Sequence, residues 1–181
     1  MSTRAISDGF RFLLLGCALL ILHNVIAGHL AIHPFVPAIL IPFVIYLAVS
    51  TRIPLPVGIC VAFCLGFLFD SFSGLPFGLY TLTHVATYVV SRAAGLRFFM
   101  RGVFSEITLA FIVCFLAGCL ELAMRAIFEY PAPFPAEEYS NFVVLLCVSV
   151  STAFCAPIIF FVLSLVERWS MRRQEQAKEY G

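Results

Sequence analysis

Only a few reactive side chains in this sequence are spaced so that two of them could lie side by side on a helix. Glu121 and Arg125 are four apart, so on a helix they share one face and their charges can pair. His29 and His33 have the same spacing, which on a continuous helix could bind a metal ion. Pro34 follows directly and is typical of a turn, so we expect no metal site there.

Charged residues inside a membrane span are candidates for function, but a neighbouring acid and base also neutralise each other. We therefore interpret Glu121 and Arg125 as a structural intramembrane ion pair. An intramembrane enzyme built on these two residues and His84 is the weakest alternative, because no nucleophile triad, HExxH motif or phosphate-binding glycine loop accompanies them. We expect a protein that is not an enzyme and needs no cofactor.

A stripe of small residues recurs every four positions at Gly58, Ala62 and Gly66, and Asp70 continues it. On a helix such a stripe lets a second helix approach closely, which drives helix association in lipid. Two interpretations stay open at this stage. The stripe packs against another span of the same chain, which we favour, or it forms a seam for a partner protein.

Asp70 is followed by a polar turn that contains Gly74 and Gly78 and opens the next apolar stretch. A carboxylate in this position can accept hydrogen bonds from the first backbone N–H groups of the following helix. We interpret Asp70 as a helix cap. Contact with a partner or a ligand is the alternative.

Composition predicts the secondary structure that carries these residues. Of 181 residues, 62% are hydrophobic and only 12% are charged, whereas a soluble domain has about 25% charged residues. The net charge of +1 offers no overall attraction for nucleic acid. Six apolar stretches hold only four of the charged residues and run from Phe12 to Leu30, Pro34 to Ser50, Leu55 to Asp70, Leu75 to Ser91, Val103 to Ile127 and Phe142 to Val166.

Continuous apolar runs predict membrane-spanning helices, since the strands of a membrane barrel alternate apolar and polar residues. The chain is therefore predicted to be a single all-α membrane domain of about six transmembrane helices, 1–181. The second to fourth stretches are short, and Pro37 and Pro42 predict an irregular second helix. The third and fourth stretches either cross the bilayer or form a re-entrant pair.

The basic residues predict the orientation. With the N-terminus inside, ten of the 11 Lys and Arg residues fall in inner segments and none in outer ones. This distribution follows the positive-inside rule. Both ends, residues 1–11 and the basic tail 167–181, are predicted to be cytoplasmic.

The stretch from Gly66 to Leu79 reads GFLFDSFSGLPFGL and resembles the central signature of the rod shape-determining protein MreD family of bacteria. A glycine precedes the aspartate by four residues, a polar turn follows, and a second glycine opens the next span. The second span, from Pro34 to the basic loop at Arg52, is also similar, as are the size, the six spans and the basic tail.

The resemblance implies a non-catalytic component of the elongation machinery in the bacterial inner membrane, where it would maintain rod shape during peptidoglycan synthesis. It implies contact with MreC and, through the complex, with MreB, RodA and a penicillin-binding protein. The partner-binding or fold-critical residues would be Gly58, Ala62, Gly66, Asp70, Gly74 and Gly78.

The family is similar in fold to the substrate-binding S components of energy-coupling-factor transporters, some of whose six spans are short and irregular. This similarity supplies the alternative function, an S component of a vitamin transporter. A polar-lined cavity that opens to the outer face would favour the alternative.

Overall fold

The computed structural model describes residues 3–29, 35–50, 53–73, 77–95, 102–128 and 141–179, and the surroundings of side chains between residues 7 and 169 of these ranges. Every regular element among the described residues is an α-helix. In chain order the helices are α1 (Thr3–His29), α2 (Leu40–Val49), α3 (Leu55–Ser73), α4 (Leu79–Gly95), α5 (Val103–Ile127) and α6 (Asn141–Glu179).

Four of these helices contain segments that are long and apolar enough to cross a membrane. The segments are Ser7–His29, Leu55–Ser73, Val103–Ile127 and Asn141–Trp169. Large apolar side chains such as Phe104, Phe154 and Ile158 are exposed on their outer faces, where lipid rather than water can cover them. The chain is an all-α membrane protein, which confirms the predicted fold class.

Helix α2 is much shorter than the predicted second span, since only Leu40–Val49 is helical. Proline at position 37 lacks an N–H and disfavours helix in the residue before it, and the described residues 35–38 are accordingly irregular. Ten residues cover only about 15 Å, half of a bilayer core. Instead, α2 packs against each of the other five helices, and Phe43, Ile45 and Leu47 are fully buried. It is the central core element.

Helix α4 begins four residues later than the predicted fourth span and ends four residues later. It packs against α2, α3 and α5. It buries more polar side chains than any other helix in the described part of the chain, among them Thr83, His84, Thr87 and Ser91. The bundle therefore contains a helix with a polar buried face.

Successive helices alternate in direction. One cavity is lined by the end of α1, the start of α2, the end of α3, the start of α4, the end of α5 and the start of α6. We refer to this as the cavity end of the bundle. A second depression, at the opposite end, is lined by the last turn of α2, the first turn of α5 and residues 157–168 of α6.

At the opposite end of the bundle, polar side-chain contacts connect α2 to α6 and to α4. The Tyr46 hydroxyl donates a 2.5 Å hydrogen bond to Glu167 on α6. Arg92, at the end of α4, donates to the carbonyl oxygens of Ala48 and Ser50, both at 2.8 Å. These carbonyls lie at the C-terminus of α2, where a helix lacks internal donors, so Arg92 caps a neighbouring helix.

Both terminal helices extend beyond the predicted spans. Helix α1 starts at Thr3 and α6 continues to Glu179. The segments predicted as N-terminal and C-terminal extensions are therefore helical wherever the structure describes them.

Candidate functional site

Asp70 is the centre of a hydrogen-bonded junction between α3 and α4. Its carboxylate is 1% exposed. Oδ1 accepts from the backbone N–H of Tyr80 at 2.8 Å. Oδ2 accepts from the N–H groups of Gly78 and Thr81, at 2.9 and 3.1 Å, and from the Thr81 hydroxyl at 2.6 Å. One side chain thus satisfies three backbone donors and one hydroxyl.

These donors are the ones that the start of any α-helix leaves without internal acceptors. The capping side chain normally belongs to the residue just before the helix, but here that position is Gly78, which has no side chain and a φ of +104°. Asp70 supplies the missing acceptor from the preceding helix, and its charge also suits the positive end of the α4 dipole. The predicted Gly74 lies outside the described residues.

The small-residue stripe explains how α3 and α4 come close enough for this junction. A Cβ added at Gly66 would lie 2.5 Å from the Thr81 Cα and 2.8 Å from the Tyr80 carbonyl oxygen. A Cβ at Gly58 would overlap the ring of Tyr88, also on α4. Both glycines face α4, and Ala62 between them is fully buried. The four stripe residues are thus buried within the chain.

The cavity at this end of the bundle has a volume of about 310 Å³. Most of its wall is apolar, with Ile41 from α2, Cys114 from α5 and Val144 from α6 among the lining residues. Its polar lining residues include His23, Tyr80, His84, Glu121 and Arg125. All six helices therefore contribute to one wall.

The charged pair lies in this wall. Arg125 Nη2 is 2.7 Å from Glu121 Oε1, and the two side chains are 6% and 24% exposed. The hydroxyl of Tyr80 interacts with both residues. The pair predicted from the i, i+4 spacing forms, and it contributes no net charge to the cavity.

An aromatic row joins the charged pair to two histidines. The Phe69 ring lies 5.7 Å from His23, 6.1 Å from His84 and 4.3 Å from Tyr80, measured between ring centroids. His84 Nδ1 is 2.8 Å from the Tyr80 carbonyl oxygen, within the same helix. Because a carbonyl can only accept, Nδ1 carries the hydrogen, and in the neutral ring Nε2 is left as an acceptor.

No family model, curated protein or solved structure matches this chain. The resemblance read from residues 66–79 therefore stays a prediction, and so does the likeness to transporter S components.

Three residues that line the cavity each have an enclosed polar atom with no hydrogen-bond partner among the described residues: His23 Nδ1, His84 Nε2 and Arg125 Nε. Elsewhere in proteins such groups are almost always paired, with protein or with water. His29 is exposed, and His33 lies outside the described residues. Within the described residues, no group of three or more His, Cys, Asp or Glu side chains is placed to hold a metal ion.

Sequence reasoning found the members of the ion pair but missed the cavity that they line. Tyr80 and Phe69 are ordinary aromatic residues of apolar spans, and nothing in their spacing relates them to Arg125. The feature of the sequence that could have indicated the cavity is the presence of the polar residues His23 and His84 within apolar stretches. Those histidines belong to spans far apart in sequence, so only the packing of the helices brings them to one wall.

Proposed function

We propose that the chain is a non-catalytic membrane component of the bacterial elongation machinery, similar to MreD, that helps to maintain rod shape. One observation supports the proposal: the residues that carry the resemblance lie together in the structure. Gly66, Asp70 and Gly78 meet at a single junction, in which the glycine allows close approach and the aspartate caps α4. Residues that fix the α3–α4 pair in this way would be expected in other proteins with the same arrangement of helices.

The burial of the stripe supports a structural role for its residues and a partner-binding role for other surfaces. Because Gly58, Gly66 and Asp70 face α4, their role under this proposal is to fix the α3–α4 pair. Contact with the membrane-anchored MreC would then use other surfaces. The exposed apolar faces of the long helices, with residues such as Phe104 and Phe154, are the surfaces available within the bilayer.

Under this proposal the protein lies in the bacterial inner membrane with both termini in the cytoplasm. MreC is the direct partner, and MreB, RodA and a penicillin-binding protein are reached through the complex. The orientation is supported by the distribution of basic residues, and it places the cavity end on the outer side.

Co-purification tests the proposal directly. A tagged chain is extracted from its own cells in mild detergent, and we expect MreC to be retained. Cells that lack the gene should lose their rod shape, and the wild-type gene should restore it. Absence of MreC from the purified protein, together with normal cell shape in the deletion strain, would refute the proposal.

A matched pair of variants tests the role of the stripe. Gly66→Leu introduces a side chain into the backbone of α4, whereas Gly28 has no atom within 4 Å of the position of an added Cβ. We expect Gly66→Leu to fail to restore rod shape and Gly28→Leu to succeed. Equal restoration by both variants would show that close α3–α4 packing is not needed for function.

The cavity raises a second candidate, a substrate-binding S component of a vitamin transporter. Its wall is mainly apolar and not polar-lined as this alternative predicts, but a few polar groups converge in it, which is how small-molecule sites are built. A binding assay with a panel of radiolabelled vitamins distinguishes this candidate from the first. A neighbouring gene for a transporter ATPase would favour it, and a neighbouring gene for MreC would favour the scaffold.

A further inference from the structure

We propose that the depression at the opposite end of the bundle binds the head group and upper acyl chain of one phospholipid, and that it prefers phosphatidylethanolamine, whose head group carries a primary ammonium. The depression lies between the last turn of α2, the first turn of α5 and residues 157–168 of α6, and we refer to it as the groove. It shares no lining residue with the cavity. The inference does not depend on the scaffold function.

The groove extends along α6 for the depth of one leaflet. Its α6 residues recur every three to four positions and so form one stripe of the helix: Pro157, Phe160, Phe161, Ser164, Glu167 and Arg168. From Pro157 to Glu167 the helix rises about 15 Å, half of a bilayer core of about 30 Å. The apolar spanning segment of α6 ends at Trp169. The groove therefore runs from the edge of the spanning segment towards the middle of the bilayer, as a lipid molecule does.

The deeper part of the groove is apolar. Pro157, Phe160 and Phe161 line it, and the Phe161 side chain is 63% exposed. The volume of about 580 Å³ lies within the range of roughly 300 to 1,000 Å³ that ligand pockets occupy. An acyl chain that lies against these rings covers apolar surface that the bundle itself leaves open.

The shallow end of the groove carries charges of both signs. Glu167, which accepts from the Tyr46 hydroxyl, and its neighbour Arg168 line it from α6. Glu106 lines it from the first turn of α5 and is half-buried, yet no hydrogen bond or ion pair joins it to any residue in the described part of the chain. An unpaired carboxylate at the edge of the hydrocarbon is costly. This end of the groove therefore suits a ligand that brings a cation to Glu106.

A phosphoethanolamine head group carries the complementary charges. Its ammonium has three N–H donors for the carboxylates of Glu106 and Glu167, and its phosphate accepts from Arg168. Phosphatidylglycerol brings the phosphate without an ammonium, so both carboxylates would face an anion. The ammonium of phosphatidylcholine is fully methylated and has no N–H to donate. The charges of the groove therefore favour phosphatidylethanolamine over both.

The experiment compares these three phospholipids with identical acyl chains, added in equal amounts to the purified full-length protein in mild detergent. Native mass spectrometry distinguishes the bound lipids by the mass of the head group. We expect the first lipid retained to be phosphatidylethanolamine about five times as often as either of the others, which is the effect of one partly exposed ion pair.

Two conservative variants examine the ammonium contacts. Glu106→Gln and Glu167→Gln keep the size of each side chain and remove its charge. Each should reduce the preference for phosphatidylethanolamine, and the double variant should abolish it. Asp8→Asn is the matched control, because Asp8 is an exposed acid near the start of α1, at the same end of the bundle, and does not line the groove. It should keep the wild-type preference.

The opposite results would overturn the proposal. Equal retention of the three lipids, or a preference for phosphatidylglycerol or phosphatidylcholine, would mean that the two glutamates do not bind an ammonium N–H. Retention of no lipid would assign the groove to neighbouring side chains or to a basic segment of a partner protein. A preference that survives in the double variant would place the ammonium elsewhere, and an equal loss in Asp8→Asn would indicate general surface charge. Loss of MreC retention with a normal lipid preference would instead refute only the scaffold function.

Discussion

Two buried polar clusters lie within a few residues of each other on α4, and they differ in one respect. The Asp70 carboxylate accepts from Gly78, Tyr80 and Thr81, so the donors around it are satisfied. In the cluster around His84 and Arg125, polar atoms are equally buried but lack partners among the described residues. Buried polar atoms that are hydrogen-bonded stabilise a fold, whereas buried polar atoms without a partner lower its stability unless a ligand or water pairs with them. The Asp70 cluster is therefore a structural junction, and the cluster around His84 and Arg125 is a candidate binding site.

The largest effect is expected at the satisfied cluster. Asp70→Ala leaves three backbone N–H groups and the Thr81 hydroxyl without their acceptor. We expect the free energy of unfolding to fall by about 3 kcal/mol or more, because each buried donor left unpaired costs about 1 to 3 kcal/mol. Unfolding in detergent, followed by circular dichroism, measures it.

Asp8→Ala is the matched control for that change. Asp8 is an exposed acid whose contact with Arg11 is 3.6 Å long. An exposed pair of this kind contributes at most about 1 kcal/mol. A loss at Asp70 no larger than the loss at Asp8 would contradict a structural role for the junction.

The next effect concerns the close approach that makes the junction possible. Gly66→Ala brings a methyl group to within 2.5 Å of the Thr81 Cα, so the two helices must separate. A loss of about 2 kcal/mol is expected from overpacking of this kind. Gly28→Ala, in open space on α1, should instead leave stability unchanged or raise it by up to about 1 kcal/mol. The same measurement compares both variants, and equal effects would remove the argument for tight packing.

A smaller effect is expected for the ion pair in the cavity wall. Arg125→Met leaves Glu121 without its cation, but Glu121 is 24% exposed and can be partly hydrated. We expect a loss of about 1.5 kcal/mol, below that of a fully buried broken pair. The double variant Glu121→Gln with Arg125→Met should recover most of it. A double variant less stable than Arg125→Met alone would mean that the pair is not what Arg125 stabilises.

The smallest effect is expected at His84, where one ring nitrogen is satisfied and the other is not. His84→Phe loses the hydrogen bond from Nδ1 to the Tyr80 carbonyl, but it also removes the buried Nε2, which has no partner among the described residues, and it preserves much of the ring volume. The free energy of unfolding should change by less than about 1 kcal/mol in the absence of ligand. A loss as large as that of Asp70→Ala would erase the difference between the two clusters and show that His84 is part of the structural core.

The predicted and observed elements differ at helix boundaries that are set by a capping contact or a proline. The apolar run begins at Leu75 in the sequence, but α4 starts at Leu79, where the Asp70 carboxylate accepts from the N–H groups of Gly78, Tyr80 and Thr81. The stretch from Pro34 is apolar throughout, yet α2 is confined to Leu40–Val49. Hydropathy reports which residues avoid water, and it does not distinguish a helix that crosses lipid from a short helix buried in protein.

Composition and residue spacing are enough to predict the class of the protein and its pairs within one helix. Low charge and long apolar runs require helices in a membrane, and spacings of four residues brought Glu121 to Arg125 and Gly66 into line with Asp70. These features depend on composition and on the period of a single helix, so one chain segment is enough to read them.

Three features depend on the packing of the helices: α2 is the central helix, the stripe faces α4, and His23, His84 and Arg125 line one cavity. Each of these depends on how separate helices pack, and side chains far apart in sequence meet only once that packing is formed. Lipid covers apolar surface whichever helix carries it, so hydropathy gives no preference among packings. Close contacts and buried hydrogen bonds make that choice, and Gly66 and Asp70 supply both.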